Sequence, residues 1–390
     1  MPPRFIIQDQ GTIRETRDDS PIRPRKRQRT DSAIDTGGYS DGDCLVSVGP
    51  VVDDPEFYRH EAAADCVVRV GSTRFKVKGS LLSKASPVLQ DILARHLGAT
   101  RRPDAALVII ADADEFRALL WALHASPEEI AAQPRDHADL DRLLLIAAIS
   151  RQYRCAALES WASSALLRTI TTNAPFTASL PSTSFKALID TAVRTHNDAL
   201  LQSTITAWSA RLRAGSAPCV PAILTADAHE LDGLRGVAYY HHIQAMLAWQ
   251  EGTGVTRRGA IAQMHADTKL SNAQVMRLLA GHWSLVSLWE RLRRAPPTFE
   301  CECAGGGEKN RRCVKGFAGA WDAATASKRI TAMSSASVLA LLATMREVLA
   351  ADAELSNNMP TGCRAKALEA VRVQAGVFED GLPDHFFGWL

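Results

Sequence analysis

One compact block of β-favouring sequence stands in a chain whose remaining apolar patterning has helical spacing, and that contrast limits the folds open to it. Cys66-Val67-Val68-Arg69-Val70 and Arg74-Phe75-Lys76-Val77 flank Gly71-Ser72-Thr73, the pattern of a tight hairpin. A short helical turn follows at Ser80-Leu81-Leu82-Ser83-Lys84. Ser86-Pro87 then supplies an N-cap and a proline at the first helical position, ahead of Val88, Leu89, Ile92 and Leu93 on one face. Leu107-Val108-Ile109-Ile110 suits a buried strand, and Asp112 or Asp114 can cap a helix carrying Phe116, Leu119, Leu120 and Leu123. After a polar insert with Pro127 and Pro134, Leu140, Leu143, Leu144 and Ala147 form another helical stripe, continued by Tyr153, Leu158 and Trp161.

Beyond about Ala174 the strand signals fade. Ser271-Asn272-Ala273-Gln274 has the form of a capping box, opening a helix in which Val275, Leu278, Leu279, His282, Val286, Trp289 and Leu292 recur until Pro296-Pro297 stops it. Val338, Leu341, Leu342, Met345, Val348 and Leu349 repeat that spacing, and Ala367 to Val373 suits a further helix after Pro360-Thr361-Gly362. No fixed-period repeat supports a solenoid. Residues 1–55 lack apolar periodicity and read as a disordered tail. Within it, Arg23, Arg25, Lys26, Arg27 and Arg29 form a basic cluster of the kind that an import receptor or a nucleic-acid backbone binds, with a solvated charge run as the alternative, and the expectation is residence in the nucleus, the cytoplasm or both.

The 45 Lys and Arg against 43 Asp and Glu leave a net charge of +2, which argues against a chain that coats polyanions. No apolar run approaches the roughly 18–20 residues that cross a bilayer, so no membrane partner is expected. MPPRFIIQDQ also lacks a signal peptide's long apolar stretch, and the expectation is a soluble, non-secreted protein. Eight scattered cysteines do not make a disulfide scaffold.

From Asp65 to about Leu167 the chain resembles the BTB/POZ domain, through Asp65-Cys66-Val67, Phe75-Lys76-Val77, Leu81-Leu82 and Ser86-Pro87-Val88-Leu89. With its basic tail and its helical second half, it is similar to BTB-containing proteins of basidiomycete fungi. The resemblance implies an α+β fold: a disordered tail over 1–55, a BTB/POZ-like domain of a small sheet with flanking helices over 56–170, and a mainly α-helical region over 171–390. It also implies a scaffold that works by protein–protein interaction, through self-association as a homodimer or through docking on a cullin-type ubiquitin ligase scaffold as a substrate adaptor. The family's apolar-x-acidic motif before the third long helix corresponds to Ile110-Ala111-Asp112, and the cullin-facing surface to Asp112 through Leu123, with Phe116 and Leu120 on it. Leu81, Leu82, Val88, Leu89 and Ile92 are candidates either for a dimer face or for the domain core. The alternative is a nuclear, transcription-associated regulator that dimerises and recruits a corepressor. With no zinc-finger array, basic zipper or homeodomain pattern, direct nucleic-acid binding is not expected.

No enzyme activity and no cofactor are expected. No phosphate-binding loop, nucleophile elbow or H-E-x-x-H pair occurs. His241-His242 and Asp227-Ala228-His229-Glu230 are titratable, but neighbouring helical histidines point about 100° apart. Trp283, Trp289, Trp249 and Trp321 read as core residues. Cys301, Cys303 and Cys313 form the one cysteine cluster; with His282 or Cys363 they would make four soft ligands, although C-x-C followed by a single distant Cys is not a standard zinc spacing. The expectation is therefore free thiols or a redox-sensitive pair, with metal binding by this cluster as the competing reading.

Overall fold

The fold comes from a computed structural model, which describes residues 50–58, 64–99, 106–126, 129, 137–253, 269–301, 303 and 307–388. The basic cluster from Arg23 to Arg29 lies outside the described residues. The fold is α+β, mostly helical, with one small mixed sheet.

The strands are β1 (Val52–Asp53), β2 (Cys66–Val70), β3 (Thr73–Val77) and β4 (Leu107–Ile109), in the order β1-β3-β2-β4. β2 and β3 form the expected hairpin, tightened by one residue: Val70 pairs with Thr73, leaving Gly71 and Ser72 as a two-residue loop. Gly71 sits at φ +58°, a left-handed conformation that a Cβ disfavours and a two-residue hairpin turn requires. Period-two alternation sends Val68, Val70, Phe75 and Val77 to the buried face. β4 returns parallel to β2 after the helix pair α1 (Gly79–Ala85) and α2 (Pro87–Ala99).

Two expectations need correction here. The tail ends before residue 55: Val52 and Asp53 add a parallel strand to β3, and Asp54 is buried, accepting hydrogen bonds from the backbone of Glu56 (3.0 Å) and Phe57 (2.9 Å) and pairing with Arg117 at 2.8 Å. β4 is also not a fully buried strand. It lies at the sheet edge, so Leu107 and Ile109 are buried while Val108 and Ile110 are 56% and 85% exposed.

The sheet's inner face is covered by α1, α2, α3 (Ala113–His124) and α4 (His137–Gln152), with Phe75 and Phe116 packed edge to face at 5.0 Å between ring centroids. Ser86 caps α2 by accepting from Leu89 N–H at 3.0 Å, and its own hydroxyl donates to the Tyr153 carbonyl. Asp112 caps α3 by accepting from the backbone N–H groups of Asp114 (2.8 Å) and Glu115 (3.4 Å). Of the expected insert, 124–138, residues 127, 128 and 130–136 lie outside the described residues.

α3 and α4 also feed a second, larger core, which their Ala118, Leu140 and Leu144 share with the helical body. That body contains α5 (Ala156–Thr172), α6 (Ala174–Ser179), α7 (Ser182–Thr195), α8 (Asp198–Arg213), α9 (Cys219–Ala228), α10 (Asp232–Thr253) and α11 (Asn272–Leu292). It continues with α12 (Gly307–Thr325), α13 (Lys328–Thr331), α14 (Val338–Ala351), α15 (Ala353–Asn358), α16 (Thr361–Asp380) and α17 (Asp384–Phe387). The capping box of α11 forms: Ser271 Oγ accepts from Gln274 N–H, and the Gln274 side chain accepts from Ser271 N–H. Pro360 stands at the N-cap of α16, so Thr361 and Gly362 belong to its first turn rather than to a loop.

Candidate functional site

The residues expected to meet a partner are mostly inside. Leu82, Leu89 and Phe116 have no exposed surface, Leu120 is 1% exposed, and all four lie in the core that covers the sheet. Leu81, Val88 and Ile92 are half-buried, the last two packed on that core. Their periodicity marks the face of each helix that the sheet needs. Exposed groups of this region include Val108 in the edge strand and Ile110 just after it, followed by Asp112 and Asp114. Asp112 holds the start of α3, and Asp114 is paired with Arg117. Tyr153 Oη and Gln152 Nε2 donate to the Ile110 carbonyl at 2.8 and 2.7 Å, fixing the backbone from which the Ile110 side chain projects.

The titratable groups of the helical body are taken up in structural contacts. Asp227 Oδ2 accepts from Tyr239 Oη and Gln274 Nε2, each at 2.8 Å, and lies 3.4 Å from Arg277 Nη1. Arg235 Nε approaches Asp227 Oδ1 at 3.3 Å as an ion pair without an aligned hydrogen bond. Burial, and then the bond to Asp227, push the Tyr239 phenol well above its usual range. Arg235 and Arg277 both lie over the Phe387 ring, so the network fastens the C-terminal segment. His229 pairs with Asp190 at 2.6 Å. Burial lowers the pKa of His241, His282 and His385, and Ser284 Oγ lies 2.8 Å from His385 Nδ1.

Trp289 and Trp321 are core residues, with Trp321 Nε1 donating to the Leu292 carbonyl at 3.2 Å. Trp283 is not: it is 71% exposed. At 100° per residue it points away from Val275, Leu278, Gly281, Leu285 and Trp289, the buried stripe of α11. The side chain of Trp249 lies outside the described residues.

The sequence cluster of cysteines is completed in space. Cys301 and Cys303 lie on the extended segment after α11, Cys313 in the second turn of α12, and Cys363 in the first turn of α16. The sulfurs of Cys301 and Cys363 are 3.4 Å apart, those of Cys303 and Cys313 3.5 Å, and those of Cys303 and Cys363 3.6 Å. All four lie within 4.8 Å of one another. His282 is not part of the group, so the fourth member is Cys363. Cys313 and Cys363 belong to the helical core, and Cys301 and Cys303 pack against it from the half-exposed side.

Hydrogen bonding within the cluster separates the thiols. The Cys303 backbone holds Cys301 below the usual thiol range, whereas the neighbouring thiols, Cys301 first, push Cys303 up and burial pushes Cys313 up. Beside the cluster runs an open groove of about 660 Å³, bordered by Pro297, Phe299 and Glu300 on one side and by Val373 and Val377 on the other. The four thiols are the one group among the described residues with a metal-ligating arrangement.

No protein-family model, no curated protein and no solved structure matches this chain.

Proposed function

We propose that this protein works by binding other proteins: a BTB/POZ-like module ending at about residue 170 docks on a cullin-type scaffold, and the helical region after it carries a client. The observation that carries this reading is the topology. A hairpin, a helix pair, a strand returning parallel to the first hairpin strand and a capped helix follow one another within the stretch that carries the resemblance.

The docking face in this reading is the outer edge of β4 and the start of α3. Edge strands offer unpaired backbone groups, and proteins commonly guard them with charge or cover them. Here two outward aliphatic side chains, Val108 and Ile110, stand beside acidic residues instead. Such a face can take an added strand or an apolar helix.

Titration of the full chain with a cullin N-terminal domain tests this. The double variant Val108→Glu, Ile110→Glu leaves the core untouched, and its affinity should fall by at least about tenfold, as expected for losing buried apolar anchors. Unchanged affinity would remove this face from the proposal. Absence of binding by the unaltered chain, with concentration-dependent dimerisation that the same variant abolishes, would assign the face to a second copy of the chain.

A further inference from the structure

We propose that Cys301, Cys303, Cys313 and Cys363 hold one structural Zn²⁺ in tetrahedral all-thiolate coordination. The inference is independent of the docking reading and rests on the spatial arrangement of the four sulfurs. With Zn–S bonds of about 2.3 Å, the edges of a tetrahedral tetrathiolate measure about 3.8 Å. The closest sulfur pairs here are 3.4, 3.5 and 3.6 Å apart, and all four sulfurs fall within 4.8 Å. A small closing or opening of each side chain brings such a group onto a common centre.

The four thiols arrive from three separate stretches of chain, an extended segment, the second turn of α12 and the first turn of α16, with Cys301 and Cys363 62 residues apart. Core packing alone does not call for that convergence: a buried thiol is a small apolar group with weak hydrogen bonding and gains little from three others. The remaining described cysteines, Cys66, Cys155 and Cys219, stand apart from the group. Four sulfur ligands with no histidine or carboxylate select a soft ion, and a ligand set complete at four leaves no position for substrate. The assignment is therefore structural rather than catalytic.

Binding converts four neutral thiols and one Zn²⁺ into a tetrathiolate complex of net charge −2, with four protons released to solvent. The surroundings suit that charge. Cys363 lies in the first turn of α16, where the positive end of the helix dipole points. The ion would tie the chain leaving α11 to α12 and α16. It would thereby fix the Pro297–Glu300 wall of the adjoining groove, with Phe299 stacked edge to face on Phe317 at 5.4 Å.

Elemental analysis of the full chain, purified under reducing conditions without added metal or chelator, should find one zinc per chain. The half-exposed variant Cys303→Ser should lose most of it while keeping the native circular dichroism. Because a variant can simply misfold, the unaltered protein gives the second readout: exchange with Co²⁺ should produce the intense visible ligand-field bands and the sulfur-to-cobalt charge transfer of a tetrahedral tetrathiolate. A folded, metal-free protein with no such cobalt spectrum would overturn the proposal. Iron with acid-labile sulfide, or Cys301–Cys363 and Cys303–Cys313 disulfides in the protein as isolated from cells, would overturn it equally.

Discussion

Asp227 shows how a single residue can look like chemistry in the sequence and act as structure in the fold. It lies in the run Asp227-Ala228-His229-Glu230, among titratable neighbours, yet its side chain is only 14% exposed and meets Tyr239, Gln274, Arg235 and Arg277 from α10 and α11. Removing one member of a buried charge network leaves the others desolvated and unpaired, which costs more than the pair itself contributes. Asp227→Ala should therefore lower unfolding free energy by about 3 kcal/mol in denaturant titration. A change below about 0.5 kcal/mol, the scale of an ordinary surface substitution, would mean that the arginines find water instead. The cysteines reverse the relation. Cys301, Cys303 and Cys313 were visible as a cluster, but the choice between His282 and Cys363 as the fourth member depended on contacts 62 residues apart, which no local spacing encodes.

Elements were legible where local rules decide them. Period-two alternation around Gly71 marked the hairpin, and the Asp112 and Ser271 caps marked the starts of α3 and α11. β1 was missed because two residues carry no alternation; Val52 and Asp53 become a strand only through pairing with Thr73 and Arg74. Helical periodicity located the apolar faces of α2 and α3 without showing what covers them, so Leu89, Phe116 and Leu120 were open to a partner in the sequence and are closed to it by the sheet. Contacts between elements also explain two glycines. A Cβ on Gly236 of α10 would stand 2.7 Å from the Pro383 backbone nitrogen, and one on Gly281 of α11 would overlap the Phe386 ring. The segment Leu382–Phe387 thus closes over both helices at positions that only glycine allows. Overpacking of this kind costs about 1–3 kcal/mol. Gly281→Ala should lower Tm by several degrees, whereas Gly233→Ala, with open space around its Cβ, should leave Tm unchanged or raise it slightly. Equal responses at the two positions would contradict the close approach.

At the scale of the whole molecule, a sheet module and a helical body share α3 and α4, whose side chains enter both cores, so the two parts are continuous rather than linked by a tether. That arrangement suits an adaptor, because a partner held at the β4 edge is placed at a fixed geometry relative to anything held by the helical body. The fold class could be read from the sequence because one short β block followed by long helical periodicity admits few architectures. The proposed docking face could not, since the exposure of Val108 and Ile110 depends on how the folded chain places β4 at the edge of the sheet. The most direct test of the central claim is the mass of the full chain by size-exclusion chromatography with light scattering, alone and mixed with a cullin N-terminal domain. The account predicts a stable mixed complex that the Val108→Glu, Ile110→Glu variant fails to form. A strict monomer that ignores the cullin domain at micromolar concentrations would contradict it.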